Sequence, residues 1–320
     1  MEMTEEKEKL VVIIGPTAVG KTKVSVKLAK RLNGEIVNGD AMQVYKGMDV
    51  GTAKIKEEEK EGIPHHLFDV KEPTEDFSAA DFQKLAIEKI SEIAKNGRIP
   101  ILVGGTGLYI QAVLYHYNFT ENSSNPAYRQ RFERMLHEQG NIALHNLLKK
   151  VDPESAARIH PNNARRVIRA LEIFYSTGKS MSEHLKEQEE QERYNAAIIG
   201  LTMERAVLYK RIDDRVDQML AEGLVEEVKR LYDQGIRDVQ SIQAIGYKEL
   251  YKYFDGNVSL EEAVATLKKN TRRYAKRQFT WFRNKMDVKW FDMTPPVSLE
   301  EKVNEIFHYV AGKLLLEKKY

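Results

Sequence analysis

The feature that most restricts this chain is an eight-residue string near its start. Gly15-Pro16-Thr17-Ala18-Val19-Gly20-Lys21-Thr22 fits the spacing G-x-x-x-x-G-K-[ST]. It follows Leu10–Ile14, a short β-branched run with the character of a strand buried on both faces. It precedes Lys21–Leu32, where Val24, Leu28 and Leu32 recur at helical spacing. A loop of this kind works as a strand-to-helix turn. Its glycines let backbone amides converge, the helix N-terminus adds positive potential, and Lys21 adds a full charge. Thr22 can place its hydroxyl on Mg²⁺. The cradle specifies a polyphosphate; it does not specify that a phosphoryl group moves.

The pattern continues with Glu35–Val37 as a second short strand. A helix then opens at Ser78-Ala-Ala-Asp81, which resembles a capping box, and runs to Asn96 with Gly97 just beyond it. Ile99–Val103 is a third strand, stopped by Gly104-Gly105. Strands alternating with helices imply a parallel sheet. From about His116 the pattern changes. Tyr128–Lys150, Asp152–Ile159 and Ala164–Thr177 read as helices, and no strand is expected until Ala196–Leu201. Further helices are expected near 204–221, 224–234, 261–285 and 298–317. The expected fold is α/β, a P-loop NTPase-like parallel-sheet core with an inserted helical domain. The core is assigned to 1–115 and 199–320, the insertion to 116–198. A length of 320 residues agrees with about two domains.

Asp40 is expected just past the end of the second strand, at the sheet edge where ligands bind in open α/β folds. A carboxylate there can hold Mg²⁺ through water, accept a proton from a nucleophile, or simply face solvent in a turn. Gln43 can offer an amide to a polar base edge. Thr106, in Gly104-Gly105-Thr106-Gly107, can reach a diphosphate oxygen or cap the following helix. Asp213-Asp214-Arg215-Val216-Asp217 spells an Asp-Asp-x-x-Asp pattern able to chelate Mg²⁺-diphosphate, but enzymes of that type need two such motifs. Arg215, with Arg211 one turn earlier, is the better candidate: paired arginines can close over a diphosphate or bridge to flanking acids. His65-His66 lacks a third ligand at metal spacing and is assigned to packing or hydrogen bonding.

Global charge names no partner, because 50 Lys+Arg against 48 Asp+Glu leaves +2. Local charge does. From Lys268 to Lys289 there are nine Lys/Arg and one acid, with Tyr274, Phe279, Trp281 and Phe282 interleaved. Cations at 269, 272, 273, 276 and 277 suit a phosphate backbone. Arg165, Arg166 and Arg169 form a second basic group in the insertion, so a large folded polyanion is expected. Glu183 to Glu192 is acidic. The absence of cysteine removes disulfides, thiolate nucleophiles and Cys-ligated zinc. No signal peptide and no membrane span are expected, which points to a soluble cytoplasmic protein.

Taken in order, these segments resemble the bacterial tRNA dimethylallyltransferase (tRNA isopentenyltransferase) family across nearly the whole chain. The resemblance runs through Gly15–Thr22, Asn38–Lys54, Pro64–Leu67, Phe77–Phe82 and Gly104–Tyr109. It continues through Asn162–Leu171, Ala244–Tyr247 and Lys276–Arg283. Gly39 and Ala41-Met42 depart from the usual small residue and Ser-Arg pair. Eukaryotic relatives carry a C-terminal zinc finger that a chain without cysteine cannot build.

The resemblance implies transfer of the dimethylallyl group of dimethylallyl diphosphate to the N6 amine of adenosine 37 in the anticodon stem-loop of tRNA. Diphosphate leaves, so the loop binds a leaving group. Asp40 would take the proton, with Thr106 and Lys21 as further catalytic groups. Gly15–Thr22 and Arg215 would hold diphosphate, and Mg²⁺ would sit on Thr22 and, as an alternative role, on Asp40. Implied tRNA contacts are Asp40, Ala41, Met42, Gln43, Arg129, Arg165, Arg166, Val167, Ile168, Arg169, Gln243, Gly246, Tyr247, Lys248, Lys276 and Arg277. A monomer is expected, and the loop is also of the nucleotide-binding, ATP-binding type. The rival reading is a P-loop small-molecule kinase, which leaves the basic strip and the insertion unused. A nucleic-acid-dependent ATPase lacks support, since no strand ends in an Asp-Glu pair.

Overall fold

The computed structural model describes residues 7–117, 119, 125–187 and 191–316. The acidic stretch Glu183 to Glu192 falls partly outside them, at 188–190. Cα packing divides the chain into two compact units, Met1–Leu114 with Glu192–Tyr320, and Tyr115–Gln191.

In the first unit, β1 (Lys9–Ile14) leads through the glycine loop into α1 (Lys21–Leu32), and β2 (Gly34–Asn38) follows at once. Next come β3 (His65–His66), α2 (Ala79–Lys95), β4 (Ile99–Gly104) and α3 (Gly107–Leu114). The capping box expected at α2 is present: Ser78 accepts the Asp81 N–H, and Asp81 accepts the Ser78 N–H. In the second unit, α4 (Pro126–Val151), α5 (Pro153–Arg158), α6 (Ala164–Thr177) and α7 (Met181–Lys186) form a helical body. Gly140, at φ 79°, breaks α4 into two segments. Phe132, Leu144, Leu148, Val167 and Leu171 make that body's own core.

The chain returns to the first unit with β5 (Asn195–Thr202), α8 (Arg205–Ala221) and α9 (Leu224–Asp233). It ends with α10 (Tyr247–Phe254), α11 (Leu260–Lys285), β6 (Lys289–Asp292) and α12 (Leu299–Lys313). Among the described residues the six strands are all parallel, in the order β3-β2-β4-β1-β5-β6. The loop-bearing strand is therefore central, and Leu10 to Ile14 are wholly buried. The expected boundary at 198/199 needs correction. Lys9 to Ile14 pair in register with Asn195 to Gly200, so the entire strand belongs to the sheet. No described helix is long and apolar enough to cross a membrane.

Candidate active site

The loop after β1 owes its shape to backbone freedom. A Cβ on Gly15 would lie 2.6 Å from the Leu201 carbonyl oxygen, so only glycine lets the loop pass β5. Gly20, at φ 107°, starts α1 without a side-chain cap, leaving first-turn N–H groups for an anion. Lys21 donates to the carbonyls of Gly15 and Pro16 at 2.9 and 2.8 Å. Burial pushes its ammonium down to about 8; Asp40 pulls it up and Arg215 pushes it further down. These three charges therefore act on one another. Thr22 is exposed on the first turn, and its hydroxyl has no protein partner among the described residues.

Asp40 follows β2 in a tight polar turn. Its N–H donates to Asn38 Oδ1 at 3.0 Å, and its Oδ1 accepts the Met42 N–H at 2.8 Å. Asn38 is itself buried and anchored to the Leu67 carbonyl at 3.0 Å. Thr106, after β4, accepts the Ala41 N–H at 3.1 Å. Its hydroxyl thus braces the Asp40 turn, while its backbone carbonyl accepts the Tyr109 and Ile110 N–H groups at the start of α3. β4, the strand beside β1, ends in Gly104 with no acidic residue. Gln43 has its amide nitrogen committed to the Thr52 and Ala53 carbonyls at 3.0 and 3.3 Å, so the expected donation to a base edge is not free.

Arg215 on α8 is mostly desolvated, which lowers its pKa, while Glu59 and then Asp40 oppose that shift. Arg211 is exposed and directs its guanidinium to the Met203 sulfur at 3.8 Å. The Asp-Asp-x-x-Asp pattern is an interhelical clamp: Asp213 pairs with Arg272, and Asp217 with Lys268 at 2.6 Å. Two cations of the basic strip are thereby used within the fold. Lys276 and Arg277 are exposed and pair with no described carboxylate, although Arg277 lies 5.7 Å from the Tyr274 ring centroid.

Several of the expected tRNA contacts must be corrected. Val167 and Ile168 are 0% and 6% exposed and fill the core of the helical body, because α6 turns their face inward. Arg165 and Arg166 lie on its exposed side. Arg169 and Arg129 each reach the buried carboxylate of Glu172 at 3.2 Å, a charge that needs partners. Gly246 and Tyr247 are buried; Gln243 is exposed and Lys248 half-exposed.

Two sets of residues escaped sequence reasoning. Glu227 on α9 accepts the N–H groups of Asp49, Val50 and Gly51 at 2.8 to 2.9 Å, and the Tyr247 hydroxyl at 2.5 Å. This pins the residues just before the Thr52 and Ala53 carbonyls that receive Gln43. Gln278 and Tyr274 on α11 face the phosphate loop and the Thr106 turn. Burial and then Asp40 raise the Tyr274 phenol, opposed by Thr106, Arg277 and Gln278. Asn38–Lys54, Ala244–Tyr247 and Lys276–Arg283 held hints of these sets, as did Tyr274 within the basic strip.

A glycine loop at the head of a central parallel strand, with a carboxylate turn after β2 and an arginine on α8, defines an α/β protein of P-loop-like fold. The family model for IPP transferase matches residues 43–285. Over 306 residues the chain is 65% identical to the tRNA dimethylallyltransferase of Anoxybacillus flavithermus, covering 96% of this chain and 97% of that one. The full-length tRNA isopentenylpyrophosphate transferase of Bacillus halodurans is 60% identical in structure-based comparison, with a TM-score of 0.74 and 97% of each chain covered. A eukaryotic dimethylallyltransferase acting on tRNA gives 35% identity and a TM-score of 0.81, over 93% of this chain and 77% of that one. The chain belongs to the IPP transferase family.

Proposed function

We propose that this protein transfers the dimethylallyl group of dimethylallyl diphosphate to the exocyclic N6 amine of adenosine 37, beside the tRNA anticodon. The observation that carries the reading is the Gly15–Thr22 loop with Lys21 drawn back to its carbonyls, set in one sheet with the Asp40 turn that Thr106 holds, within a chain of this family. The N6 lone pair is conjugated with the ring, so the amine is a weak nucleophile. It attacks C1 of the donor as the C1–O bond breaks and the bonding pair leaves with diphosphate. The Asp40 carboxylate, fixed by the Met42 N–H, takes the N6 proton. Loop amides, Lys21 and Arg215 stabilise the charge gathering on diphosphate, and Thr106 holds the Asp40 turn.

The residues present fit Mg²⁺ bound chiefly by the substrate. Among the described residues no three His, Asp or Glu form a metal cluster, while the free Thr22 hydroxyl offers one oxygen beside the diphosphate. Bound there, the ion would neutralise leaving-group charge. Arg165, Arg166, Lys276 and Arg277 supply exposed cations for tRNA phosphates. The adenine must leave its stack to reach Asp40.

Incubation with tRNA, dimethylallyl diphosphate and Mg²⁺, followed by nucleoside mass analysis, tests the proposal. Adenosine carrying one added five-carbon unit is expected, with diphosphate released. ATP consumption with phosphorylation of a small molecule, and unmodified tRNA, would favour a kinase.

A further inference from the structure

Gln278 has no part in the reaction as described, yet it spends both ends of its amide on the site. It is 5% exposed. Its Oε1 accepts the Thr17 N–H of the phosphate loop at 3.0 Å. Its Nε2 donates to the Gly105 carbonyl, in the turn after β4, at 3.0 Å. β1 and β4 are neighbours in the sheet, so one side chain spans the loops leaving two adjacent strands. The fit is close: a Cβ on Gly105 would lie 2.1 Å from Gln278 Nε2. The path continues, since Thr106 is the next residue and receives the Ala41 N–H beside Asp40.

The chemistry of the bridge restricts the residue type. One end must accept and the other donate, which an amide does and a carboxylate or a methionine does not. We propose that Gln278 is a positioning residue that sets the register between the diphosphate-holding loop and the proton-accepting turn. This rests on the prenyl-transfer reading. Each substrate touches its own loop, so binding of either one alone is indifferent to a small slip between the loops. Displacement is not indifferent, because amine, C1 and leaving oxygen must align, and an ångström of misplacement can cost ~100-fold in rate.

The test compares wild type with Gln278→Met, which keeps volume, and Gly105→Ala, which keeps Gln278 but drives a methyl into its amide. Thermal melting, Kd for dimethylallyl diphosphate and for tRNA, and single-turnover rate are measured for each. The expected result is a rate loss of about 10- to 100-fold in both variants, with either Kd changed less than about threefold. In a Gln278→Ala background the Gly105→Ala change should become nearly silent, because the clashing amide is gone. A normal rate in folded protein would overturn the assignment. So would a normal rate with donor Kd raised about tenfold, which would make Gln278 a wall of the donor site only. If Gln278→Met does not fold, Gly105→Ala decides between these outcomes. Wild type that leaves tRNA unmodified would instead overturn the prenyl-transfer reading and, with it, this assignment.

Discussion

The Thr106 hydroxyl accepts the Ala41 N–H at 3.1 Å, tying the turn after β4 to the turn after β2 one residue beyond Asp40. Thr106→Val keeps the shape and removes the acceptor. The rate should fall about tenfold, whereas Thr106→Ser should stay within about twofold, since the hydroxyl returns. Single-turnover kinetics on both variants checks this.

Asp40→Asn retains an oxygen for the Met42 N–H and so preserves the turn. It removes the proposed proton acceptor. The rate should drop about 10²- to 10⁴-fold while donor affinity holds. Normal turnover with altered Mg²⁺ dependence would make Asp40 a ligand to the metal rather than the base.

Lys21 has its pKa lowered from 10.5 to about 8, burial being the main cause. Its charge is therefore lost in the free protein as pH rises through about 8. Donor affinity should weaken about tenfold between pH 7 and 9 if only the ammonium form binds, and Lys21→Met should flatten that profile. The same shift acts on stability with opposite sense. Between about 8 and 10.5 the unfolded chain binds more protons than the folded one, so this group makes stability rise with pH in that window. Calorimetric titration of the donor across the range reads the binding effect.

Arg165 and Arg166 are exposed on α6, while Val167 and Ile168 behind them are core. Replacing both arginines with Ala should leave melting nearly unchanged and raise KM for tRNA. The slope of log K against log salt should flatten by about one to two, because each phosphate contact contributes roughly 0.7 to 0.9. An unchanged slope would remove both from the interface.

Glu227 receives three consecutive N–H groups and the Tyr247 hydroxyl. Glu227→Ala strands all four donors and should cost about 2 kcal/mol or more in urea unfolding, whereas Tyr247→Phe removes one partner and should cost about 1 kcal/mol.

Local pattern carried much of this protein. Gly15–Thr22 specifies a strand, a loop and a helix because its conformational demands and charges lie within eight residues. The Ser78 cap and the helical spacing of α1 are equally local. β3, two residues long, was not legible, because pairing with Ile36 and Val37 makes it a strand, not its own sequence. β6 likewise needs Ile199 to Thr202 beside it.

The site divides along the same line. Asp40, Lys21 and Arg215 could be named from sequence, since motif position and charge type select them. That Val167, Ile168 and Tyr247 lie inside, that Asp213 and Asp217 hold Arg272 and Lys268, and that Gln278 joins two loops were decided by tertiary packing. Residues 261 positions apart, such as Thr17 and Gln278, meet only when the sheet and α11 bring their polar atoms together. A periodicity over a few residues records which side of a helix is apolar; the partner waiting on that side is supplied by the rest of the fold.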